Sequence, residues 1–159
     1  MKISITTLII AALLLVTVAS CGKKGGGVTP DPVITDTTKP AITITKPTAG
    51  QAFTAGSAIA FEASFSDNIS LKSYEIEVSK VVATGFVLKN VPLNVPFSWV
   101  KSSTGFTAGV KQQTITINDI NIPANSTTQV VTTGNYNFKV TCLDGTDNTV
   151  STIVMININ

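Results

Sequence analysis

The chain has 159 residues, 43% apolar and 13% charged, with eleven lysines against nine aspartates and glutamates, and neither histidine nor arginine. Without histidine no side chain has an ordinary pKa between pH 5 and 8, and neither a Ser-His-Asp nor a Cys-His arrangement can form. Without arginine, and with nearly balanced charge, the chain lacks the guanidinium forks and concentrated basic face of a nucleic-acid binder, so no nucleic-acid partner is expected.

The first twenty residues have the three parts of an export signal: Lys2 as the positive start, the apolar run Leu8 to Val18, and the small pair Ala19-Ser20. The run is shorter than the roughly 20 residues a bilayer span needs, and no polybasic stop-transfer segment comes after it. Val18-Ala19-Ser20-Cys21 has the form of a lipobox, in which cleavage leaves Cys21 as the first residue and the site of lipidation. Each buried methylene adds roughly 0.8 kcal/mol of membrane affinity, so a diacylglycerol plus an N-acyl chain would hold the protein to a membrane essentially permanently. The expected address is the outer membrane, with the lipid anchor as the contact. Cleavage leaves 139 residues, enough for one domain with a real core. With Cys21 acylated, Cys142 is the only thiol, which excludes an internal disulfide and a Cys/His zinc site. No enzyme is expected.

Residues 21–38 read as a flexible tether. Gly22-Lys23-Lys24-Gly25-Gly26-Gly27 is pliable and charged, while Pro30 and Pro32 stiffen its second half. Residues 39–159 read as one all-β domain, with short alternating runs bounded by Gly, Pro, Asn and Asp. Ala41–Lys46 is a first strand. Ala58–Ser66 turns Ile59, Phe61, Ala63 and Phe65 to one face, and Leu71–Lys80 turns Tyr74, Ile76 and Val78 inward. Val81–Lys111 is long and holds Phe86, Phe97, Trp99 and Phe106; it reads as an extra hairpin or an elaborated middle strand pair. Thr114–Ile122 is the next strand. Tyr136–Leu143 places Tyr136, Phe138, Val140 and Cys142 on one face, and Val150–Ile158, apolar on both sides, reads as a buried final strand. The strand count and turn signals fit an antiparallel β-sandwich.

Four short motifs carry a resemblance. They are Asp36-Thr37-Thr38-Lys39-Pro40 before the first strand, Ser66-Asp67-Asn68 before the Leu71 strand, Gly134-Asn135-Tyr136, and Asp144-Gly145-Thr146-Asp147-Asn148 before the last strand. In their order and spacing they resemble bacterial immunoglobulin-like domains, and with the lipobox the chain is similar to a family of single-domain Bacteroidetes lipoproteins. The resemblance implies an Ig-like sandwich and an envelope location, and it implies no activity.

Two sites are candidates. In an Ig-like sandwich the start of the domain, the β-turn after the second long strand and the last hairpin share one pole. That would gather Asp36, Asp67, Asn68, Asp144, Asp147 and Asn148, an oxygen set suited to calcium, although Asp and Asn also serve as ordinary turn formers. No cofactor is expected beyond this candidate calcium. The second candidate is an aromatic ligand face of Phe97, Trp99 and Phe106, which would make the domain a carbohydrate-binding module or a protein-docking one; the alternative is a small separate core beneath the insertion. Cys142 reads as a buried apolar residue, and Tyr136 as a ring turned inward whose hydroxyl bonds backbone, as in a tyrosine corner.

Overall fold

Alternation between apolar and polar residues drives this chain into strands, and the strands stack as two sheets. The computed structural model describes residues 35–81, 93–103 and 105–159. The signal, Cys21, the tether up to residue 34 and Phe86 lie outside the described residues. Among the described residues ten strands occur in order: β1 Ala41–Lys46, β2 Ala52–Phe53, β3 Ala58–Ser66, β4 Leu71–Lys80, β5 Leu93–Val95, β6 Trp99–Ser103, β7 Gln112–Asn121, β8 Gln129–Val131, β9 Gly134–Asp144 and β10 Thr149–Ile158. One sheet has the order β1-β3-β7 and the other β2-β10-β9-β4-β6, while β5 and β8 form a small parallel pair. The fold is an all-β, Ig-like sandwich, and Thr35–Asn159 forms one compact unit.

The inner faces agree with the alternation in the sequence. Ile59, Phe61, Ala63 and Phe65 of β3 are fully buried, as are Tyr136, Phe138, Val140 and Cys142 of β9 and Ile76 and Val78 of β4. Phe61 from the three-stranded sheet stacks on Phe138 from the five-stranded one, with centroids 5.5 Å apart and planes 17° from parallel. Phe65 meets Tyr74 across the same gap at 5.5 Å. Both ring pairs bridge the two sheets.

Of the two forms expected for Val81–Lys111, the described residues show the elaborated strand pair. β6 runs antiparallel along β4, with Trp99 opposite Val78, and extends the five-stranded sheet. β5 pairs instead with β8, more than thirty residues further on. The last strand differs from expectation. Only Ile156 and Ile158 of β10 are buried, whereas Ile153 and Met155 are 56% and 49% exposed. The reason is position: beyond β10 lies only the two-residue β2, and no layer among the described residues covers the outer face of that sheet.

Tyr136 ties the β8–β9 corner together. Its hydroxyl donates to the Thr132 carbonyl and accepts from the Phe97 amide at 3.3 Å, so the ring is inward and the oxygen makes two hydrogen bonds. Burial pushes the hydroxyl's pKa up, and the Phe97 amide pulls the other way. Tyr136→Phe keeps the ring but strands a buried amide and a carbonyl. The variant is expected to lose about 1–2 kcal/mol in urea unfolding with an unchanged slope. An unaltered midpoint would show that the corner bond carries no stability.

Candidate functional site

The β3–β4 loop and the β9–β10 turn meet at one end of the sandwich because strands β4, β9 and β10 are nearly in register there. Leu71 of β4 lies opposite Asp144 of β9, and Thr149 of β10 opposite Leu143. The start of the domain joins them, since Ala41 of β1 lies opposite Ser66 of β3. Asp36, Asp67 and Asp144 are thereby brought together, with one carboxylate oxygen of each within 4.8 Å of the other two.

Asp144 organises the last turn. It is fully buried. Its Oδ1 accepts from the Thr146 amide (2.8 Å), the Thr146 hydroxyl (3.0 Å) and the Asn148 amide (2.9 Å). Its Oδ2 accepts from the Asn148 side chain at 2.7 Å. Burial opposes ionisation, but the Asn148 side chain and the Thr146 and Asn148 donors together outweigh it, so the carboxyl titrates below the usual aspartate range. Asn148 also donates to the Asp36 carbonyl at 3.0 Å, which stitches the start of the domain to the last hairpin. Gly145 allows the β3–β4 loop to approach: its amide donates to the Ser70 carbonyl at 2.8 Å, and a Cβ there would run into the Ser70 hydroxyl.

Asp67 and Asp36 each commit one oxygen to shaping backbone. Asp67 Oδ1 accepts from the Ile69 and Ser70 amides at 2.8 and 2.7 Å. Asp36 Oδ1 accepts from the Thr38 amide at 2.9 Å and from Asn68 Nδ2 at 3.2 Å. The second oxygens differ in kind. Asp36 Oδ2 and Asp67 Oδ2 are buried and accept no hydrogen bond. A buried acceptor left unpartnered ordinarily costs roughly 1–3 kcal/mol, and more if charged. No lysine is ion-paired with them: the two ion pairs among the described residues are Lys46–Glu62 and Lys72–Asp147, and the Lys111 ammonium at this pole donates to the Asn68 carbonyl at 2.9 Å.

Five of the six expected polar residues therefore converge, and Asp147 does not. Its backbone takes φ of 69°, the left-handed region that a tight turn requires and that Asp tolerates. Its carboxylate pairs with exposed Lys72 instead. Thr146 is a participant that does not stand out in the sequence. Its signal is present in Asp144-Gly145-Thr146, where an Asp two residues before a Thr favours an Asx turn.

The aromatic face does not form. Phe97 and Phe106 are both buried, and they join the main core instead of a separate one beneath the insertion. Phe106 rests on Phe65 and Tyr74 at 5.5 and 5.4 Å, whereas Phe97 rests on Tyr136. Tyr74 lies opposite Cys142. Tyr136 and Cys142 are six residues apart on β9, roughly 20 Å along the strand, so the two phenylalanines sit toward opposite ends of the sandwich. Trp99 is partly buried against the core. Cys142 is inert: burial, then Asp67 and Asp144, push its thiol up to about 12.

Recesses are modest. A cavity of about 60 Å³ lies among Val95, Phe97, Pro123 and Val131, well below the roughly 300–1,000 Å³ of ordinary ligand pockets. A groove of about 360 Å³ lies open beside the pole, between Lys72, Phe106 and Gly145, and no acidic residue lines it.

Among solved structures the chain is similar to the fibronectin(III)-like modules of Clostridium thermocellum CbhA, at 19% identity and a TM-score of 0.42. The similarity covers 75% of this chain and 46% of that one, so the chain spans about half the length of the structure it matches. No curated protein sequence matches it. Over residues 26–159 the chain matches the family described as a domain of unknown function (DUF4625), and it belongs to that family.

Proposed function

We propose that this protein is a non-catalytic cell-envelope lipoprotein, held to the outer membrane by acylated Cys21, whose Ig-like sandwich acts as a binding or accessory module. The observation that carries the reading is Val18-Ala19-Ser20-Cys21 at the end of a short apolar run, with a Gly- and Lys-rich stretch leading from it to a single folded unit. A chain without histidine, whose cavity among Val95, Phe97, Pro123 and Val131 is far smaller than a substrate, favours a module that works by its surface. The burial of Phe97 and Phe106 removes two of the three rings on which sugar stacking would have rested.

The test is Cys21→Ser expressed in an envelope-bearing bacterial host. The parent should partition with membranes and carry acyl mass on its first mature residue, and the variant should be soluble and unacylated. An unacylated parent, or a variant that stays with the membrane, would sink the lipoprotein reading.

A further inference from the structure

Turn formation accounts for only half of what the carboxylates at the pole do. Asp36 and Asp67 already satisfy their loop amides through Oδ1. Asp36 is nevertheless 7% exposed, and its Oδ2 is buried without a donor, as is that of Asp67. Both sit beside fully buried Asp144, with no lysine in ion-pair reach among the described residues. Three carboxylates packed this way repel one another, and a cation held between them would relieve that repulsion.

We infer that Asp36, Asp67 and Asp144 form a calcium site that fastens the start of the domain to the β3–β4 loop and the β9–β10 turn. Size fits: calcium binds oxygen at about 2.3–2.6 Å, so ligands on opposite sides of one ion are roughly 4.8 Å apart. The three oxygens lie within 4.8 Å of one another, the range spanned by ligands that share one such ion. Chemistry fits as well, because the set is oxygen alone, with neither imidazole nor thiolate to favour zinc or copper. Magnesium requires near-ideal octahedral geometry at about 2.0–2.1 Å, which carboxylates held by three separate loops do not supply. Calcium accepts irregular arrangements, and water completes its shell. The expected affinity is that of extracellular modules, a Kd of about 10⁻⁴–10⁻³ M. The site stands apart from the lipoprotein reading, and its test uses chain that carries no lipid.

The experiment is a thermal melt of the full chain bearing Cys21→Ser, first in EDTA and then in 10 mM calcium or magnesium at matched ionic strength. Calcium is expected to raise Tm by about 5–10 °C, rising with the logarithm of its concentration, and magnesium by less than half as much. Asp36→Asn and Asp67→Asn each keep an amide oxygen for the loop while removing one charge. They should melt in EDTA at or above the parent and lose the calcium shift. Isothermal titration of the parent should show one calcium per chain, which keeps the test independent of how the variants fold. Superimposed parent melts, an equal response to magnesium, a calcium shift that survives both substitutions, or a titration without heat would each overturn the site.

Discussion

Phe138→Ala is expected to destabilise the domain by about 3–5 kcal/mol in denaturant unfolding, a large part of the roughly 5–15 kcal/mol that holds a typical domain folded. The ring is fully buried on β9 and stacks on Phe61 of β3, so its loss opens a cavity between the sheets instead of at a rim. Neither neighbour can close that gap easily, because Phe61 and Phe138 are each fixed by an antiparallel strand on either side. Phe61→Ala should cost a similar amount. The double variant should cost less than the two losses added together, by about 0.5–1.5 kcal/mol, since the stacked contact disappears once in each single variant. Losses under 1 kcal/mol for both single variants would mean that the two sheets do not meet through these rings.

Asp144→Ala, measured in EDTA so that no ion contributes, should cost about 2–4 kcal/mol. The substitution leaves the Thr146 and Asn148 amides and the Asn148 side chain without their acceptor in a buried turn. Asn148 then loses the group that aims its amide at the Asp36 carbonyl, and the start of the domain loosens with it. Asp144→Asn keeps an oxygen for the backbone amides and should lose less than half as much. Equal losses for the two variants would show that charge, not the bonded oxygen, holds the turn.

The long strands are legible in the sequence because one face of each is buried. β3 and β4 have the bounds that alternation alone gives, and all of their expected inner residues are in the core. β10 departs from expectation because Ile153 and Met155 are as apolar as its inner residues, and composition cannot distinguish an uncovered face from a covered one. β5 and β8 leave little trace, since a three-residue strand has too few alternations to declare itself, and its partner is set by distant chain. At the pole, topology is enough to gather Asp36, Asp67, Asn68, Asp144 and Asn148 from afar. It cannot separate Asp147 from them, because one left-handed residue decides which way that side chain turns. The aromatic face fails for a related reason: Phe97 and Phe106 flank Trp99 in sequence, yet the strand between them carries them to different ends of the core.

The pairing of β1 with β3 has a mechanical consequence. Tension applied at the start of the domain would enter the sandwich at Asp36 and run along β1, whose hydrogen bonds to β3 lie across that direction from Ala41 to Lys46. A pull along the strand loads those bonds side by side, as shear, instead of opening them one after another like a zip. Before it reaches β1, the same pull meets the Asn148 amide on the carbonyls of Asp36 and Thr38, which transfers part of the force to β10 in the opposite sheet. Such an arrangement carries traction through both layers at once.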